Sequence, residues 1–86
     1  MPDTSRDPVL VAFGRAVRAL RLDRGLSQEQ LAEASHLHTT YISSIERGHR
    51  NVALKNIDRL AQAFDLDLPG LMDAVETARE PVEERR

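Results

Sequence analysis

The side chains that could do chemistry in this 86-residue chain are those that hydrogen-bond and carry charge, not those that attack a bond. It has no cysteine, which removes a thiolate nucleophile, a thiolate zinc ligand and a disulfide staple together. His36 and His38 occupy a short turn, but no cysteine or carboxylate cluster completes a ligand set, so neither a metal nor another cofactor is expected. No Gly-rich phosphate loop, nucleophile elbow or HExxH is found, and no enzymatic role is expected. What remains is a run of short polar side chains, Thr39-Thr40-Tyr41 and Ser43-Ser44, followed by Arg47, His49, Arg50 and Asn51. Threonine suits the reading of base edges, because its hydroxyl meets a donor or acceptor while its methyl packs on a thymine methyl. Plain solvent exposure of a polar helix face is the competing reading.

Charge tests that idea. The net formal charge of −2 argues against a polyanionic partner, since phosphate neutralisation dominates nucleic-acid affinity. The distribution is uneven, however. Residues 13–50 hold six arginines against four acids, a local charge of +2, whereas 51–86 hold five bases against eight acids, a local charge of −3. A basic face can therefore coexist with an acidic body, although a solvated surface of mixed charge fits the composition as well. No apolar run approaches the roughly 18–20 residues needed to cross a bilayer, and the polar start MPDTSRD is unlike a secretory signal, so a cytoplasmic protein without membrane association is expected.

Periodicity and cap signals divide the chain into helices. Asp7-Pro8 reads as an N-cap and first helical position, and Leu10, Phe13, Val17 and Leu20 recur at helical spacing, which predicts a helix over 8–23. Gly25 ends it, and Ser27 with Gln30 forms a capping box that opens a second helix over 28–34, with Leu31 and Ala32 inward. A third follows over 39–47 with Ile42 and Ile45 inward, closed by Gly48. A fourth covers 54–64 with Leu54, Ile57, Leu60, Ala61 and Phe64 on one face, and a fifth covers 69–79. Residues 1–7 and 80–86 are expected to be disordered, leaving one domain over 8–79. No disulfide or metal supports so small a core, so helix packing and association must.

Two short helices joined by a tight turn, the second opening with small polar residues, have the form of a helix-turn-helix reader. Ala32 allows the third helix to cross close, while Leu37 and Ile42 lock the crossing. On periodicity alone an ordinary αα-hairpin fits equally well.

The motifs Leu26-Ser27-Gln28-x-x-Leu31-Ala32, Tyr41-Ile42-Ser43-x-Ile45-Glu46-Arg47-Gly48 and Arg50-Asn51 make residues 13–68 resemble the lambdoid phage repressor and Cro class of helix-turn-helix, the xenobiotic-response-element family. The run TYISSIERGHRN is similar to the controller proteins of restriction–modification systems. The resemblance implies an all-α, five-helix, lambda-repressor-like fold. It places Gln28 near the DNA backbone and the first recognised base, and Thr39, Thr40 and Ser43 in the major groove with Tyr41 and Ser44 beside them. Arg47, His49, Arg50 and Asn51 take the place of the family's phosphate clamp, and Arg21 with Glu46 that of a structural ion pair between the first and third helices. Glu29 and Glu33 match a patch that in some relatives touches RNA polymerase, though exposed helix faces commonly carry such residues. The family usually has Gly where this chain has His36, which implies a left-handed residue there at about 1 kcal/mol of strain. It usually caps the third helix with Ser or Thr where this chain has His38, which leaves that imidazole to face a phosphate.

The function expected is sequence-specific transcriptional regulation by a homodimer on a two-fold-related DNA operator. One helix-turn-helix contacts few base pairs, and Leu68, Leu71, Met72 and Val75 are expected to form a self-complementary patch beyond a four-helix core. An antitoxin-like or other protein-interaction module on the same fold is the alternative.

Overall fold

A computed structural model describes residues 7–79, and these form five α-helices without a strand among them. The expected disordered ends, apart from Asp7, lie outside the described residues. Helix α1 spans Pro8–Asp23, α2 Gln28–Ser35, α3 Thr39–Glu46, α4 Leu54–Ala63 and α5 Leu68–Ala78.

Local chemistry sets the helix starts. Asp7 accepts the amide of Val9 at 3.1 Å, with Pro8 in the first turn where a missing N–H costs nothing. Ser27 Oγ accepts from the amide of Gln30 at 3.0 Å, and Gln30 Oε1 accepts from the amide of Ser27 at 2.8 Å, closing the capping box in both directions. Asp67 caps α5 by accepting from the amide of Gly70 at 2.9 Å. His38 stands at the N-cap of α3 with no side-chain capping bond, as its replacement of a hydroxyl residue led one to expect.

The turn between α2 and α3 is made by His36 in the left-handed region, φ 61° and ψ 37°. That conformation lets the amide of Leu37 return to the carbonyl of Ala32 at 3.0 Å, ending α2 and redirecting the chain into α3. Gly48 does the same after α3 at φ 80°, where a Cβ would also come within 3.2 Å of Val11.

Val17, Leu31, Ile42, Ile45, Leu60, Phe64 and Leu71 are fully buried and form one core to which every helix contributes. Helix α1 packs against α3 and α5, α2 against α3 and α4, and α4 against α5. Gly14 permits the α1–α3 approach: a Cβ built there would lie 2.3 Å from the carbonyl oxygen of Ile45.

Two expectations about apolar faces are corrected here. Leu71 is 0% exposed and Val75 4%, so these two expected dimer residues belong to the core of the single chain. Helix α5 lies on α1, and residues four apart on one face of it are spent on that contact. Leu68 is half-buried against the same core, and of the four only Met72 is exposed. Leu54, expected inward, is 70% exposed in the first turn of α4.

Candidate nucleic-acid interface

Helices α2 and α3 pack through Leu31, Ala32 and Ile42, all buried, which leaves the start of α3 at the surface. Thr39 is half-buried and Thr40 exposed in its first turn, with half-buried Ser43 one turn further along. His38 precedes them, exposed. Beyond the helix Arg47, His49, Arg50 and Asn51 are all exposed. The two arginines are anchored on α3: Arg47 Nη1 donates to Ser43 Oγ, and Arg50 Nε donates to Ser44 Oγ at 3.2 Å.

Ser44 itself is 8% exposed, so it lies beneath the surface instead of flanking the groove-facing residues as expected. Tyr41 is half-buried; its hydroxyl accepts from Asn56 Nδ2 at 3.3 Å, and its ring lies 5.4 Å beneath the Arg50 guanidinium. Asn56 and, through it, Arg59 are residues of the site that sequence reasoning missed, because a contact fifteen positions away leaves no periodic trace.

The orientation of α3 is fixed from behind by an ion pair. Glu46 accepts from Arg21 Nε at 2.6 Å and Nη2 at 3.0 Å, with the two side chains only 3% and 8% exposed. Arg21 Nη1 donates to the carbonyl of Leu26 at 2.8 Å, so the guanidinium ties α1 both to α3 and to the loop before α2. Hydrogen bonding to Glu46 outweighs burial and holds the Arg21 pKa above its ordinary value. Removing one member of such a pair strands a buried charge, at a cost of about 3–5 kcal/mol. Gln28, expected near the DNA backbone, also donates to Glu46, from Nε2 at 3.1 Å, which joins the start of α2 to the same carboxylate.

The local surplus of arginine is thus partly structural. Arg21 is 6% exposed, and Arg24 stacks 5.5 Å over the Phe64 ring while its Nε donates to the Phe64 carbonyl at 3.1 Å. The positive charge available at the surface near α3 comes chiefly from Arg47 and Arg50, with Arg18 at the edge of the Glu46 pair. Among the described residues no group of three or more His, Cys, Asp or Glu is placed to hold a metal ion, and no helix is long and apolar enough to cross a membrane.

A helix-turn-helix family model matches residues 17–71. The chain belongs to that family. It is of the xenobiotic-response-element type that its motifs resemble. It is 46% identical over 66 residues to control protein C.BamHI of Bacillus amyloliquefaciens, covering 76% of this chain and 82% of that one. It is similar in structure to the restriction–modification controller protein C.AhdI from Aeromonas hydrophila, at 50% identity and a TM-score of 0.70, over 72% of this chain and 94% of that one. The controller protein C.Esp1396I, solved as a tetramer in complex with its natural 35 base-pair operator, superposes at a TM-score of 0.76 and 28% identity, over 81% of this chain and 92% of that one. Family members of this kind are DNA-binding regulators of transcription, and the five-helix fold read from the motifs is the fold observed.

Proposed function

We propose that this helix-turn-helix protein is a cytoplasmic, sequence-specific transcriptional regulator that binds a two-fold-related operator as a homodimer, and that it serves a restriction–modification system. The carrying observation is the start of α3, where Thr39, Thr40 and Ser43 meet the surface and Arg47 and Arg50 stand over the other end of the helix. Thr39 and Thr40 read base edges, while Arg47 and Asn51 contact phosphates and set the register, with Arg50 on a phosphate or a base edge. The likeness to controller proteins, one of them crystallised on its operator, supports the same assignment.

Of the dimer residues that the apolar spacing of α5 suggested, Met72 is open at the surface and Val75 borders the groove beside it from the core side, whereas Leu71 is buried. Val9, Leu54 and Met72 are 42%, 70% and 37% exposed, and Val9 and Met72 border a shallow groove of about 170 Å³ also lined by Leu10, Phe13, Ile57 and Val75. A second copy seated there buries this patch at about 25 cal/mol per Å² of apolar area, before association costs are subtracted. A two-fold dimer that reads adjacent half-sites needs its two α3 helices about one helical turn of DNA apart, roughly 34 Å. Glu29 and Glu33 are exposed on α2 and would remain open to RNA polymerase.

Selection of bound duplexes from a random pool tests the function. A recovered consensus with two-fold symmetry, and sedimentation of the protein as a dimer at micromolar concentration, are the expected results. Recovery of no consensus at all would overturn the DNA-reading assignment and favour a protein-interaction module.

A further inference from the structure

Several contacts converge on one exposed arginine. Arg50 Nε donates to Ser44 Oγ at 3.2 Å, and the guanidinium carbon lies 5.4 Å from the centroid of the Tyr41 ring. Both partners are themselves held. Ser44 is 8% exposed within α3, so its hydroxyl is a fixed point and not a mobile surface group. Tyr41 is tethered through its hydroxyl to Asn56 at 3.3 Å, and Asn56 Oδ1 accepts from Arg59 Nη1 at 3.4 Å. Neither the stack nor the Nε bond uses the terminal nitrogens Nη1 and Nη2 of Arg50.

We infer that Tyr41 and Ser44 are positioning residues for Arg50, holding its guanidinium in the free protein so that Nη1 and Nη2 offer a preformed pair of donors to two acceptors on DNA. The inference rests on the DNA-binding function proposed above. A long flexible side chain normally loses rotamer freedom on binding, and that loss counts against affinity. Here the flat guanidinium lies against a ring and is pinned at one edge, so the ordering accompanies folding instead. The matching acceptor pair is two oxygens of a phosphate or O6 and N7 of a guanine, which a guanidinium serves through the same end-on geometry. Tyr41 and Ser44 then contribute to recognition without touching the duplex.

The test is a double-mutant cycle on a duplex recovered by the parent protein from a random pool, with a scrambled duplex of equal length alongside. If the parent recovers no duplex, the DNA-binding function fails, and this is seen before any variant is made. Given a bound duplex, Tyr41→Leu and Ser44→Ala should each weaken binding about two- to five-fold, the scale of an exposed cation–π contact. Tyr41→Phe, which keeps the ring face, should recover most of the loss. In an Arg50→Ala background both losses should vanish, an outcome that a merely structural role for Tyr41 or Ser44 would not produce. Equal loss on the two duplexes identifies phosphate as the acceptor, and loss confined to the selected one identifies guanine. Should Tyr41→Leu prove poorly folded, Ser44→Ala removes a single oxygen and carries the same cycle. Undiminished losses in the absence of Arg50 would overturn the inference.

Discussion

Gly14→Ala sets two physical effects against each other, and the structure decides the sign. In the middle of an ordinary helix the change gains about 1 kcal/mol, because alanine restricts the unfolded chain and favours helix. At Gly14 the new Cβ would lie 2.3 Å from the carbonyl oxygen of Ile45, 2.9 Å from that of Glu46 and 3.1 Å from the Glu46 carbonyl carbon. Ordinary carbon–oxygen contacts begin near 3.3 Å. All three obstacles are backbone, so no side chain can swing aside, and α1 must draw back from α3 by about 1 Å. Such a gap forfeits about a quarter to a half of the dispersion attraction across the contact. It also stretches the Arg21–Glu46 bonds that cross the same interface. Overpacking costs about 1–3 kcal/mol, and the upper end applies where backbone must move. After the helix-propensity gain is subtracted, a net loss of about 2 kcal/mol is expected. Urea denaturation followed by circular dichroism at one fixed protein concentration should show a lower midpoint with an unchanged slope. The thermal midpoint should fall by about 8–16 °C. A Gly14→Ala protein as stable as the parent, or more so, would refute the claim that this glycine permits the α1–α3 crossing.

The remaining predictions concern the interface, the dimer and the turn. Thr39→Ala combined with Thr40→Ala should narrow the affinity gap between selected and scrambled duplexes by about 1–3 kcal/mol per lost contact with the fold intact, and an unchanged gap in titrations would remove these residues from the groove. Met72→Glu should give folded monomers by sedimentation, since its side chain reaches the surface, whereas Leu71→Glu should abolish the cooperative melt by placing a carboxylate in the core. A folded Leu71→Glu, or a dimeric Met72→Glu, would contradict the burial pattern or the proposed patch respectively. His36→Gly should be neutral or up to about 1 kcal/mol stabilising in urea titrations, because relief of the left-handed strain offsets the greater freedom of glycine in the unfolded chain; a clear loss of stability would show that the imidazole has a supporting role.

The sequence by itself determined the five helices and most of their ends, because caps and turns are made by residues within a few positions of one another. Asp7 with Pro8 and Ser27 with Gln30 are of this kind, whereas the left-handed residue at His36 was implied by the family resemblance. The motif resemblance added the Arg21–Glu46 pair, which no periodicity could have paired across twenty-five residues. Only the tertiary structure decided what each face meets. Helical spacing marked Leu68, Leu71, Met72 and Val75 as apolar but could not tell a neighbouring helix from a second copy, and the docking of α5 on α1 took Leu71 and Val75 into the core. The same long-range placement buried Ser44, turned Gln28 toward Glu46, set Arg24 on Phe64 and left Leu54 outside. Each of these outcomes depends on contacts between residues distant in the chain, whose relative positions are fixed only when all five helices have packed.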